Sequence, residues 1–109
     1  MPSSQQPLYR MKAEFFKTLG HPVRIRVLEL LSRRPHAVSE MLGDIEIEAA
    51  NLSQQLSVLR RAGLVIAHRD GLSVTYELTS PEVAELLATA RTILTGVVAG
   101  RAEALGSPA

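Results

Sequence analysis

The chain of 109 residues contains no cysteine and no tryptophan, and aromatic side chains make up only 4% of it. Without cysteine there can be no disulfide, no thiolate metal site, no thiol nucleophile and no thiol-based redox sensor. So few aromatics disfavour a stacking platform for single-stranded nucleic acid, because bases need flat side chains to lie on. No apolar run approaches the roughly 18 residues of a membrane span. The opening MPSSQQP lacks the basic-then-apolar layout of a secretory signal, so a cytoplasmic location is expected. Neither a nucleophile elbow, nor a glycine-rich phosphate loop, nor a paired-carboxylate pocket is apparent, and an enzyme is not expected.

Acidic residues are missing from one stretch in particular. Net charge is only +1, yet between Glu48 and Asp70 there is no Asp or Glu while Arg60, Arg61 and Arg69 all fall inside that window. A locally positive region in a near-neutral chain points to one surface that meets phosphates.

What is present is ordinary globular material, 46% hydrophobic and 21% charged, enough for one domain and one core. Residues 1–7, with two prolines and two serines, are expected to form a tail, and 100–109 (GRAEALGSPA) a second one, leaving 8–99 as the domain. Leu8, Met11, Phe15 and Leu19 share one helical stripe, with Tyr9 and Phe16 beside it, and Gly20 ends that helix. Pro22 suits the first position of a second helix, with Val23, Val27, Leu30 and Leu31 inward and Arg24, Arg26, Arg33 and Arg34 outward, stopped by Pro35. A short third helix over about Val38 to Ile45 buries Val38, Met41, Leu42 and Ile45, and a turn at Glu46 and Ile47 leads to a fourth, which Gly63 terminates. The period then changes: LVIAHR and SVTYEL read as strands about a hairpin turn at Asp70-Gly71, which could include Leu72. Ser80 is the expected N-cap of a final helix opened by Pro81, with Glu82 and Glu85 suited to its first turns.

The expected fold is therefore mainly α with a β-hairpin, in the order α-α-α-α-β-β-α, which is that of a winged helix-turn-helix. In that fold the helix before the hairpin enters the major groove of double-stranded DNA. Its polar face explains itself on this reading. Gln and Asn can bond the N6 and N7 of adenine together, Arg the O6 and N7 of guanine, and Ser either, whereas an acid would repel phosphates. Asn51, Gln54 and Gln55 are the base-reading candidates, and Ser53 and Ser57 could meet bases or phosphates. Arg60 and Arg61 lie two turns later and are expected on the backbone, with Arg69, His68 and Thr75 on the hairpin. Arg24, Arg26, Arg33 and Arg34 are equally well explained as a solvated helix face.

The last helix carries more apolar positions than one narrow stripe can use, and the first adds to them. An exposed apolar patch of that size marks an interface, so a two-fold homodimer is expected through Leu8, Met11, Phe15, Leu86, Ala90, Ile93, Leu94 and Val97.

The segments KAEFFKTLGHPVRIRVLELL and LSQQLSVLRRAGLVIAHRDGLSVTYEL resemble the ArsR/SmtB family of bacterial winged-helix repressors, from about Leu8 to Val98. The most specific pieces are Leu19-Gly20-His21-Pro22 with Arg24 and Arg26, and the LSxxLxxLRxAGLV run from Leu52 to Val65. The resemblance implies homodimers that bind imperfect inverted repeats at promoters and leave DNA when an effector binds. Most members carry His where Gln54 or Gln55 stands, which implies a different base preference here. It fails at the metal sites. The segment where metal-sensing members place cysteines reads AVSEM, Ala37 to Met41, and the last helix has no histidine to join Glu82 and Glu85. No cofactor or metal is expected, since zinc-type affinity needs two or more nitrogen or sulfur ligands.

Structural roles are expected for His21, His36 and His68, His36 beside Glu40 being the one combination to check. Asp44, Glu46 and Glu48 are expected to favour the N-terminus of the fourth helix, and near DNA they would penalise loosely bound sequences. Two alternatives stay open. One is a metal-responsive repressor with an unconventional site. The other is a winged helix used for protein interaction, which predicts weak, salt-insensitive DNA binding.

Overall fold

The computed structural model describes residues 6–106. Eight elements follow one another: α1 (Leu8–Leu19), α2 (Pro22–Arg33), β1 (His36–Ala37), α3 (Val38–Ile45), α4 (Ala49–Arg61), β2 (Val65–Asp70), β3 (Ser73–Leu78) and α5 (Pro81–Gly106). The expected order holds with one addition. Strand β1 pairs antiparallel with β3, His36 opposite Tyr76 and Ala37 opposite Thr75, so the sheet has three strands in the order β1-β3-β2. Two residues are too few to show an alternating pattern, and tertiary pairing alone makes this a strand.

The helix starts use the residues the sequence offers. His21 caps α2 through Nδ1, which accepts from the Val23 N–H at 3.2 Å, and Pro22 takes the first position, where no donor is needed. The Glu40 carboxylate accepts the Ala37 N–H at 2.8 Å at the start of α3, and Ser80 Oγ accepts the Glu82 N–H at 3.1 Å at the start of α5. Between α3 and α4 the turn is short. Glu46 takes it in the left-handed conformation, φ 58° and ψ 51°, its N–H bonded to the Leu42 carbonyl at 3.2 Å. Ile47 then packs against the core and holds the turn in place.

The core lies between α2, α3, α4 and the sheet. Val27, Leu28, Leu30 and Leu31 meet Met41, Leu52, Leu56 and Leu59, closed by Leu19, Leu64, Val65 and Val83. The end of α4 is a Schellman motif: the Leu64 N–H bonds the Leu59 carbonyl and the Gly63 N–H the Arg60 carbonyl, both at 3.0 Å, with Gly63 at φ 79°. Thr79, just past β3, donates from its hydroxyl to the Gly63 carbonyl at 2.7 Å and from its N–H to the Leu64 carbonyl at 3.1 Å. The far end of the hairpin is thereby tied to the end of α4. At the near end Asp70 pairs with Ser73 around a two-residue turn, Gly71-Leu72. Gly71 at φ 64°, followed by a residue with negative φ, fits a type II′ turn, whose twist matches that of the strands. The turn thus includes Leu72, and Asp70 belongs to the strand.

Helix α5 departs from expectation in two ways. It continues through Gly106, so residues 100–106 are helix rather than tail. Arg101, Ala102, Glu103, Ala104 and Leu105 are good helix formers, and they carry the helix past Gly100. The remaining tail residues, 1–5 and 107–109, lie outside the described residues. The helix is also apolar enough, at mean hydropathy 1.4 over Pro81–Arg101, to meet the length and composition of a membrane span, contrary to the sequence reading. The reason is averaging, since Thr and Gly interrupt every long apolar run without lowering the mean much.

Its first turns pack on the core through Val83, Leu86 and Leu87. From Arg91 to Arg101 every residue is exposed. This projection gives a radius of gyration of 17.4 Å, against roughly 13 Å for a compact chain of about 100 residues.

Candidate nucleic-acid interface

Helix α4 buries Leu52, Leu56 and Leu59 and turns Asn51, Ser53, Gln54, Arg60 and Arg61 outward, with Ser57 half-covered. No acid lies on the exposed side between Ala49 and Arg61. Asp44, Glu46 and Glu48 stand exposed just ahead of this helix, and the Glu48 side chain makes no capping bond to it. Whatever they add at the helix N-terminus is through space.

The hairpin stands beside α4, and its strand alternation sorts the expected residues. Directly opposed residues share a face, so Arg69 lies with Val74, and His68 with Thr75. A concavity of about 400 Å³ opens between the two elements, walled by Ser53, Leu56 and Arg60 of α4 and by Ala67, Arg69, Val74 and Tyr76 of the sheet. Two guanidinium side chains thus border one groove. His68 and Thr75 occupy the opposite face of the sheet, where His68 Nε2 lies 2.6 Å from the Glu77 carboxylate. The expectation that Arg69, His68 and Thr75 work together is corrected by the period of two: the sheet separates Arg69 from the other two.

Gln55 is a second correction. Its side chain is only 7% exposed and does not face solvent with Gln54. It sits three residues after Leu52 and four before Leu59, on the apolar stripe, and that spacing was the available signal. A buried amide needs partners. Arg24 Nε donates to Gln55 Oε1 at 2.8 Å, and Gln55 Nε2 donates to Asn51 Oδ1 at 3.0 Å. Arg24 also donates from Nη1 to the Thr18 carbonyl at 3.0 Å, satisfying one of the open acceptors at the end of α1. Arg24, expected among solvated arginines, is therefore half-buried between three helices, and sequence reasoning missed its role. A single Arg in a surface pattern carries no mark of the amide that folding brings to it.

The other arginines of α2, and Arg34 just past its end, behave as a solvated face. Arg26 lies 3.8 Å from Glu29, and Arg34 pairs with Glu40 at 2.9 Å. The Arg34 and Ala37 bonds hold the Glu40 carboxyl well below the usual range, at about 2. Bonding to Ser80 lowers that of Glu82. His36 is buried at 4% exposure and donates from Nδ1 to the Arg34 carbonyl at 2.8 Å. The His36–Glu40 combination is thus committed to the structure on both sides, and among the described residues no group of three His, Cys, Asp or Glu side chains could hold a metal ion.

The expected interface helices divide. Leu8, Met11, Ile93, Leu94 and Val97 are exposed. Phe15 and Leu86 instead pack against the core and Ala90 is half-covered, because the inner edge of each stripe is used within the chain. Tyr9, Phe16 and Val98 are exposed in their place.

A helix-turn-helix body with an ordered hairpin tied to the end of α4 defines a winged helix-turn-helix. A helix-turn-helix domain signature matches residues 19–68. The HTH-type transcriptional regulator Rv0081 of Mycobacterium tuberculosis is 55% identical over 101 residues, covering 92% of this chain and 89% of that one. The crystal structure of Rv0081 matches with a TM-score of 0.82 at 57% identity, over 88% of this chain and 97% of that one. The transcriptional repressor BigR from Xylella fastidiosa matches with a TM-score of 0.75 at 33% identity, over 85% and 95% of the two chains. This chain belongs to the ArsR/SmtB-type family of winged helix-turn-helix, DNA-binding transcriptional regulators. That family is one of regulators and not normally of enzymes.

Proposed function

We propose that two copies of this chain form a cytoplasmic, promoter-binding repressor that lays one α4 from each copy into successive major grooves of an imperfect inverted repeat. The observation that carries this reading is the exposed, acid-free side of α4 beside a groove bordered by Arg60 and Arg69. Asn51, Ser53 and Gln54 read base edges, Ser57 meets base or phosphate, and Arg60, Arg61 and Arg69 grip the backbone, since guanidinium groups on the flanks of a helix meet phosphates first. His68 and Thr75, on the outer face of the hairpin, take no part in that grip.

The second copy covers the apolar faces of α1 and α5, where Leu8, Met11, Phe16, Ile93, Leu94 and Val97 are 44–64% exposed. A partner chain suits α5 better than a bilayer does. Thr89, Arg91, Thr92 and Thr95 along its middle can face water or polar neighbours across a protein seam but would meet lipid in a span. Release from DNA follows a signal other than a metal held at the family's usual positions, because AVSEM has no thiol and α5 no imidazole.

The test is binding of the purified protein to the DNA upstream of its own gene across a salt series, with random duplex of equal length as reference. Tighter binding to the upstream DNA, falling steeply with salt, is expected. Equal binding to both duplexes, or binding insensitive to salt, would sink the proposal and favour a protein-interaction module.

A further inference from the structure

The bonds that bury Gln55 form a chain with a direction. Arg24 carries only donors, so whichever atom of Gln55 faces it must be the oxygen. The amide nitrogen of Gln55 is then turned the other way, onto Asn51, and a nitrogen donor requires an oxygen acceptor there. The distances agree at each step: 2.8 Å from Arg24 Nε to Gln55 Oε1 and 3.0 Å from Gln55 Nε2 to Asn51 Oδ1. Arg24 is itself held by the Thr18 carbonyl at 3.0 Å, so the orientation starts from a fixed point at the end of α1. Asn51 is exposed and Gln55 buried, so the relay begins inside the protein and ends at its surface.

We propose that Arg24, acting through Gln55, is a specificity-determining positioning residue: it turns the oxygen of Asn51 inward and leaves the amide nitrogen as the group presented to a base. This inference rests on the assignment of α4 as the base-reading helix. An unaided asparagine can offer either end of its amide and is equally suited to donor and acceptor edges. An asparagine held in this way presents donors. In the major groove, guanine offers N7 and O6, adenine N7 and thymine O4 as acceptors, whereas cytosine offers only its N4 amino donor. The base met by Asn51 is thus any that carries an acceptor, and cytosine is rejected.

Gln55→Glu reverses the logic with almost no change of shape. A carboxylate at 55 still accepts from Arg24 but cannot donate to Asn51, so the Asn51 amide turns over, nitrogen inward and oxygen outward. Cytosine becomes a favoured base at that position. With a single hydrogen bond to the base at stake, the discrimination should shift by roughly threefold to tenfold.

The experiment is selection of bound duplexes from a pool in which every operator position carries all four bases, for the wild type and for Gln55→Glu, with circular dichroism to confirm folding. Depletion of cytosine at one position in each half-site for the wild type, and its recovery there for Gln55→Glu, is the expected result. A folded Gln55→Glu protein with the wild-type base preference at every position overturns the relay and leaves α4 as the reading helix. A wild type without preference at any position overturns the assignment of α4 itself. Should Gln55→Glu not fold, Arg24→Ala serves. It frees the Gln55 amide to turn either way, so discrimination against cytosine should shrink while the salt slope stays the same. Full discrimination in Arg24→Ala likewise overturns the relay.

Discussion

Ile93→Ala should loosen the proposed dimer by one to two orders of magnitude while leaving the protomer's fold intact. Ile93 is 59% exposed in the single chain, so a little over half of its surface awaits cover. Full burial of an isoleucine side chain contributes about 1.5–3 kcal/mol, so covering the exposed part contributes roughly 0.7–1.5 kcal/mol after allowing for what Ala retains. Two-fold symmetry counts every substitution twice, giving about 1.4–3 kcal/mol, or a dimer dissociation constant raised roughly 10- to 150-fold. Within the protomer the same change removes little packing, and surface changes of this kind stay within about 0.5 kcal/mol. Sedimentation equilibrium at several protein concentrations reads the association directly, and circular dichroism of the monomeric fraction reads the fold. A dissociation constant within threefold of wild type would refute the placement of Ile93 at the seam. Loss of helix content in the monomer would show that α5 depends on Ile93 internally, which its exposure argues against.

Three further outcomes are expected. Arg60→Ala or Arg69→Ala should weaken binding to all duplexes alike and lower the salt slope by about 0.9 for each phosphate no longer neutralised, measured as log K against log salt; a changed base preference at constant slope would contradict their backbone role. Glu46→Gly should stabilise the protein in urea denaturation by about 0.5–1 kcal/mol, since relief of a left-handed L-residue (~1–2 kcal/mol) exceeds the added freedom of glycine (~0.5–1 kcal/mol); lower stability would mean that the Glu46 side chain contributes more than its backbone costs. Glu40 is charged more readily in the fold than outside it, with its carboxyl lowered from 4.5 to about 2 by Arg34 and the Ala37 N–H, so its stabilisation is complete above pH 4.5 and lost as pH falls toward 2. Glu40→Gln should flatten the stability profile in that window, and an unchanged acid slope would show that other carboxyl groups set it.

Much of the architecture was legible because local signals agreed with one another. Leu52, Leu56 and Leu59 recur at helical spacing, Pro22 and Ser80 mark helix starts, and the β-branched run after Gly63 changes the period from 3.6 to 2. β1 was not legible, since two residues become a strand only when β3 arrives beside them. The candidate site was legible as a surface but not side chain by side chain. Gln54 and Gln55 look alike on paper, and only their angle relative to Leu52 and Leu59 separates an exposed amide from a buried one.

The order of residues alone determined the helices, the hairpin and the absence of acids from α4, because periodicity, caps and charge are properties of neighbours along the chain. Tertiary structure alone decided that Arg24 meets Gln55, that Arg69 and His68 part to opposite faces of the sheet, and that Phe15 and Leu86 serve the core while Phe16 and Val98 stay outside. Those outcomes depend on which elements pack together and at what rotation. A hydrogen bond spanning 31 positions exists only once the fold has brought its two ends within 3 Å.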